Sequence, residues 1–309
     1  MSTILIFLLQ FSLIPLLSPL FVGIIRKIKA RLQNRRGASI FQPYSDLSKL
    51  FHKNEVISHD SSWIFKAMPY ILFASTLVIC VGLPLITTGF RNSFSGDFLV
   101  IIYILALGTF FLALAGIDTG GGFGGFGSSR EMTLAALAEG GFIFSMLVLS
   151  VIAHSTNLTD IIGSVSSLPL ISYLPVLLAF IGFFIILLAE TGRFPFDNPA
   201  THLELTMIHE AMILEYSGKR LALIEWAAAN KLLIFLAIGA NLFFPWGIAT
   251  SLSIPAILGS LGIFLAKLLI LSVAVAVLES SIAKSRFFRL PDLLLTSFIL
   301  SMIAIGLIF

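Results

Sequence analysis

Eight stretches of roughly twenty apolar residues divide this chain of 309 residues, and no other feature constrains its fold as strongly. They run approximately over 3–25, 68–88, 98–117, 131–153, 173–190, 231–250, 254–278 and 291–309. A helix needs about 20 apolar residues to cross a hydrocarbon core of ~30 Å. Backbone polar groups there must be satisfied internally, so each stretch reads as a spanning helix. The stretches are continuous and do not alternate, which excludes barrel strands. The first is not a signal peptide, because Lys and Arg follow it rather than precede it. The expectation is an all-α integral membrane protein, one polytopic domain over 1–309, with two long cytoplasmic loops.

Composition agrees. Hydrophobic residues make up 58% and charged residues 11%, against about 25% charged in soluble domains. A soluble enzyme is excluded, and so is disorder, which requires the opposite balance. The lone Cys80 cannot form a disulfide, and cannot by itself hold an Fe–S cluster or a thiolate zinc site.

Charge placement gives orientation. The first connection, 26–67, carries nine Lys and Arg: Arg26, Lys27, Lys29, Arg31, Arg35, Arg36, Lys49, Lys53 and Lys66. The third carries Arg130, the fifth Arg193, Lys219, Arg220 and Lys231, and the seventh Lys284, Arg286 and Arg289; the even connections carry only Arg91. The positive-inside rule therefore puts odd connections in the cytoplasm and both termini on the far side of the cytoplasmic (inner) membrane. The first and fifth connections (about 26–67 and 191–230) are the long ones. They read as a docking platform for a soluble partner, or equally as loops bound to anionic lipid.

Each charge inside hydrocarbon costs at least a few kcal/mol and needs a reason. Glu139 lies within the fourth stretch, Lys267 within the seventh, and Glu190 and Glu279 end the fifth and seventh. They read as a chain of protonatable groups. The alternatives are a static Glu139–Lys267 pair and interfacial positions for Glu190 and Glu279. Ser128-Ser-Arg-Glu131 reads as a capping box opening the fourth helix at about 131.

The fifth connection is the richest. Pro195 and Pro199 stop a helix, and Thr201…Glu204 predicts a short helix to about Tyr216, with Gly218 as its stop. Glu204 and Glu215, eleven residues apart, share a face of it, as do His202 and His209. With Glu210 and Glu225 they form an acidic region for proton entry or storage, or else a solvated amphipathic helix. Gly122-Phe-Gly-Gly-Phe-Gly127 matches a dinucleotide fingerprint by letter only; without a βαβ unit it reads as a flexible loop. No nucleotide-hydrolysis motif is present, and the positive-inside rule accounts for the basic loop without nucleic acid.

Three stretches carry a resemblance: Arg31-Leu-Gln-Asn-Arg35-Arg36-Gly37…Gln42…Asp46-Leu-Ser-Lys49; Gly116-Ile-Asp118-Thr119-Gly120…Gly127-Ser-Ser-Arg130-Glu131; and Glu190-Thr-Gly-Arg193-Phe-Pro195-Phe196-Asp197…Glu204…Glu215-Tyr216-Ser-Gly. Over about residues 20–290 the chain resembles the respiratory complex I subunit 1 family. Asp-Thr-Gly, Ser-Arg-Glu, Glu-Tyr-Ser-Gly and Lys267 twelve residues before Glu279 resemble its hydrogenase branch, that of formate-hydrogenlyase subunit 4 and membrane-bound hydrogenase membrane subunits.

The resemblance implies a membrane anchor and coupling subunit that binds no cofactor itself. A nickel–iron centre and Fe–S clusters would lie in partners: hydrogenase-like large and small subunits and an Fe–S subunit, beside antiporter-like membrane subunits. By motif match Glu139 corresponds to the family's buried glutamate on the fourth helix, and Glu204 and Glu215 to its acidic loop, although the family's proton-loading assignments do not carry over to the loop. Together with Glu190, Glu210, Lys267 and Glu279, read from the charges above, they are the proton- or sodium-relay candidates. It implies Arg31, Arg35, Arg36, Gly37, Asp46, Lys49, Arg193, Pro195, Phe196 and Asp197 as loop-motif or docking residues. The chain departs from the family pattern after Pro-Phe-Asp, where Ala200 and His202 replace acidic residues, so His202 and His209 are expected to substitute there. The competing expectations are a subunit shaping a quinone cavity, a stand-alone ion transporter, and a purely structural anchor.

Overall fold

The computed structural model describes residues 3–58, 61–89, 96–197, 207–283 and 285–309. Among the described residues, eight helices are long and apolar enough to span a membrane: α1 (Thr3–Leu32), α3 (Trp63–Gly82), α4 (Phe98–Asp118), α5 (Gly122–Ala153), α7 (Leu174–Glu190), α9 (Gly218–Leu242), α10 (Ile254–Ser281) and α11 (Leu290–Gly306). Short helices α2 (Gln42–His52), α6 (Leu158–Ser166) and α8 (His209–Ile213) sit in the connections. No strand occurs among the described residues. The eight apolar stretches thus correspond to eight spans, and the chain is an all-α multi-pass membrane protein.

α9 is the central post. It packs on α1, α2, α3, α7 and α10, and every side chain from Asn230 to Phe243 except Lys231 is buried. Ala237, Gly239 and Ala240 keep it thin; a Cβ on Gly239 would come within 3.1 Å of the Phe183 ring. α10 and α11 are peripheral, and Ile270, Val273, Ile299 and Met302 on them remain exposed, as a lipid-facing surface requires.

Several boundaries differ from the sequence expectation. α5 begins at Gly122, not near 131, so the glycine-rich stretch is helix rather than a flexible loop. Its glycines serve close packing: a Cβ on Gly124 would lie 2.1 Å from the Gly116 carbonyl oxygen of α4. Ser128 therefore opens no helix; its hydroxyl donates to the Ala113 carbonyl at 2.8 Å, and Glu131 is an interior residue of α5. α9 begins at Gly218, so the fifth connection ends at 217 rather than 230 and carries Arg220, Glu225 and Lys231 into the helix. Gly218, with φ +55, starts α9 instead of stopping a short helix. α3 runs from Trp63 to Gly82, not over 68–88. The short helix before α9 covers only His209–Ile213; Thr201, His202 and Glu204 lie outside the described residues.

The first connection is not a plain loop. α2 is amphipathic, opens with Pro43 in its first turn, and packs on α1 and α9. The chain from α1 to α2 is tied back: Lys27 Nζ donates to the carbonyls of Arg36 (2.8 Å), Gly37 (3.3 Å) and Ala38 (3.1 Å). A Cβ on Gly23 would fall 2.0 Å from the Ile40 carbonyl oxygen, so α1 admits only glycine there.

Candidate functional site

Because successive spans alternate in direction, the C-terminal ends of α1, α4, α7 and α10 and the N-terminal ends of α3, α5, α9 and α11 share one face of the bundle. α2, α8 and the 191–197 turn lie on that face. A cavity of about 410 Å³ opens beneath them. Apolar residues of α1, α3 and α4 (Val22, Leu72, Leu105, Leu112) form one wall. The other is charged: Asp46, Glu131, Glu190, Asp197, Glu210 and Glu225, with Arg26, Arg193 and Lys231 as cations and His209 between them.

Each charge is positioned by its element. Lys231 is thirteen residues after Gly218 on α9, about 20 Å along the helix at 1.5 Å per residue. Its ammonium meets Glu190, at the end of α7, at 2.7 Å and donates to Thr109 of α4 at 3.3 Å. Both side chains of the ion pair are mostly buried, 16% and 9% exposed. Such a pair is costly to break from one side, because the remaining charge loses its partner. Asn230, beside Lys231, accepts from Ser18 (2.7 Å) and donates to Thr76 (3.1 Å), joining α1, α9 and α3 next to the pair.

The 191–197 turn is built by its own backbone. Phe196 and Asp197 N–H groups both donate to the Arg193 carbonyl. Pro195 and Phe196 are buried, and Gly192 stands at φ +58. This turn sends two groups in different directions. Arg193 reaches Glu279 of α10 at 2.9 Å, and Lys29 of α1 reaches the same carboxylate at 3.2 Å. Asp197, 4% exposed, accepts from the N–H groups of Ile208 (3.3 Å) and His209 (3.1 Å). It thereby holds the start of α8 against the cavity. Burial lowers the His209 imidazole below its ordinary value, partly opposed by the neighbouring Glu210 carboxylate. Burial raises the Glu210 carboxyl, with His209 opposing.

The sequence candidates separate into groups. Glu190, Glu210, Arg193, Asp197 and Asp46 meet at the cavity. Glu139 lies on α5 eight residues beyond Glu131 and does not line it. Glu279 is doubly paired behind the turn. Lys267 does not pair with Glu139; its Nζ donates to the Phe244 carbonyl at 2.5 Å, just past the end of α9. Glu215, Lys49, Arg31, Arg35, Arg36 and Gly37 are exposed. Asp46 is held by Gln42 Nε2 at 2.8 Å. Glu204 lies outside the described residues.

Sequence reasoning missed Lys231, Glu131 and Arg26 as site residues. The sequence reads Lys231 as the end of a connection, and it favours a cap over proton transfer for Glu131. Starting the spans at Gly218 and Gly122 would have exposed both. As for metal or cluster binding, Cys80 is buried in α3 and its thiol donates to the Thr76 carbonyl. Among the described residues no group of three or more His, Cys, Asp or Glu is placed to hold a metal.

The comparisons with known proteins agree with this architecture. The sequence model of the family described as NADH dehydrogenase matches residues 3–309. Hydrogenase-4 component C of Escherichia coli (strain K12) is 38% identical over 295 residues, covering 96% of this chain and 92% of that protein. Formate hydrogenlyase subunit 4 of the same organism is 34% identical over 269 residues, covering 87% of each. Among solved structures, a chain of the membrane-bound sulfane sulfur reductase, an archaeal respiratory membrane complex, shares the fold with a TM-score of 0.83 at 21% identity, covering 99% of both chains.

Proposed function

This chain belongs to the NADH dehydrogenase family, and from that premise we propose that it is the membrane anchor and coupling subunit of an energy-converting hydrogenase or formate-hydrogenlyase-like complex. The observation that carries the reading is the charged cavity, which runs from the loop-bearing face down to the Lys231–Glu190 pair. Electron transfer belongs to soluble partners, hydrogenase-like large and small subunits with an Fe–S subunit. These carry the nickel–iron centre and clusters, since one thiol committed to a backbone carbonyl does not fit such a group. α2, the exposed Arg31–Gly37 stretch and the 191–197 turn form the docking side, facing the cytoplasm, with both termini opposite.

Coupling follows from the arrangement. A charge change in a docked partner acts on α8 and the turn, where Asp197 and Arg193 connect the surface to buried ion pairs. Displacing the turn alters the field at Glu190 and Lys231, and a proton moves on or off the carboxylates of the cavity. Glu139, on α5 beyond Glu131, hands the charge toward antiporter-like membrane subunits.

A second reading is favoured by one observation. The apolar wall and the volume, within the ~300–1,000 Å³ of small-molecule sites, suit a quinone head with its tail along Val22 and Leu72. Mass spectrometry of the complex purified with this chain in mild detergent separates the readings. A large partner bearing two Cys-x-x-Cys pairs is expected. A large partner lacking those cysteines, with extractable quinone, would replace the first reading by the second. Recovery of the chain alone would overturn both in favour of a transporter.

A further inference from the structure

The charged cavity occupies the loop-bearing half of the bundle; the opposite half carries a polar feature of its own. α3 stops at Gly82, and the next residues, Leu83 to Thr87, run non-helically while fully buried. Non-helical backbone at membrane depth persists only where protein or a water-filled space satisfies it. Here two amide side chains do so. Gln10 of α1 donates to the Leu83 carbonyl at 2.9 Å. Asn241 of α9 donates to the carbonyls of Pro84 (3.1 Å) and Leu85 (2.8 Å). Gln10 is 7% exposed and Asn241 2%.

Those bonds fix the amide orientations, because carbonyls accept only from the NH₂ ends. Both amide oxygens, Gln10 Oε1 and Asn241 Oδ1, are then left buried with no hydrogen-bond partner among the described residues. A buried acceptor of this kind is ordinarily paired. The polar neighbourhood around three successive carbonyls suits water, which forms two to four such bonds. Among the described residues no carboxylate bonds to this cluster to balance a cation, so the ligand called for is a neutral hydrogen-bond donor.

Position gives the site its meaning. Asn241 is eleven residues, three helical turns, beyond Asn230, so both project from one face of α9. Asn230 is bonded to Ser18 and Thr76 beside the Lys231–Glu190 pair. α1 contributes at both levels, through Ser18 and then Gln10, and the chain of α3 does so through Thr76 and then Leu83–Leu85.

We propose that Gln10, Asn241 and the unwound segment Leu83–Leu85 form a water-binding way station on the outer half of the proton path, in line with Lys231 along the α1/α3/α9 interface. A proton reaching the oxygen of this water is matched by release of another from the same molecule on the outer side, so no protein group changes charge. The inference rests on the coupling function proposed above.

The test uses the whole complex. High-resolution cryo-EM is expected to show ordered water density within hydrogen-bond distance of Gln10 Oε1 and Asn241 Oδ1. Gln10→Met, similar in volume and lacking both polar ends, and Asn241→Leu are each expected to lower the ion-to-electron ratio at least twofold. Gln10→Met guards against loss of assembly in Asn241→Leu. Absence of that density would overturn the site. Density with an unchanged ratio in Gln10→Met would overturn its place on the path. Glu190→Gln, measured in parallel, distinguishes failures: a lowered ratio there alone defeats only this inference, and an unchanged ratio there defeats the coupling function itself.

Discussion

Lys231 and Glu190 meet at 2.7 Å with most of both side chains out of solvent. Removing one partner strands a buried charge, whereas removing both leaves two neutral groups of similar shape. We expect Lys231→Met to cost about 3 kcal/mol of stability, and Glu190→Gln with Lys231→Met to restore most of it. Melting of the purified complex reads this, and an additive double variant would contradict it. His209 makes a pH prediction. Its lowered imidazole contributes stability that is fully present above its ordinary 6.5 and is lost as pH falls through the folded-state value. Glu210, raised by burial, acts with the opposite sign, its contribution present below the ordinary carboxylate range and lost as pH rises. His209→Gln should therefore flatten the acid-side decline in melting temperature below pH 6.5 while leaving the alkaline side in place. Sequence alone showed that Glu190, Glu210 and His209 were unusual in so apolar a chain. It did not show Glu279 between Lys29 and Arg193, because those three residues lie far apart in sequence.

At the scale of elements, the existence of eight spans was legible and their ends were not. Hydropathy counts treat Arg220, Glu225 and Lys231 as loop residues. Helix α9 accommodates Arg220 through its pair with Glu55 and Lys231 through its pair with Glu190, and it turns Glu225 to the cavity. The same bias hid the start of α5, where glycines signal a loop by propensity but a tight helix crossing by geometry. Two neighbouring positions test this. Gly124→Ala places a Cβ 2.1 Å from the Gly116 carbonyl oxygen and should destabilise by about 2 kcal/mol through overpacking. Gly125→Ala meets nothing within 4 Å and should be neutral or stabilise by up to ~1 kcal/mol through helix propensity. Equal melting shifts would show that the α4–α5 crossing is not close. α2 was not anticipated either. Its amphipathic run is short, and what holds it is tertiary: the Lys27 bonds to the returning chain and the Gly23–Ile40 approach.

For the whole molecule, the site is an assembly of residues from α1, α2, α3, α4, α5, α7, α8, α9 and the 191–197 turn around one cavity. A single sequence names many of these residues, but their meeting depends on how the bundle closes. Helix α9, buried on all sides beyond Lys231, sets that closure by letting α1, α3 and α7 pack on it. The same closure places the unwound Leu83–Thr87 segment against α1 and α9 on the side away from the cavity. In the coupling function proposed above, the buried pair at the cavity floor links redox chemistry in the partners to ion movement. The most direct test is the ion-to-electron ratio of the assembled complex carrying Glu190→Gln, reconstituted in sealed liposomes. Electron transfer is expected to remain measurable, with the ratio reduced at least twofold. A ratio equal to that of the unaltered complex would contradict it.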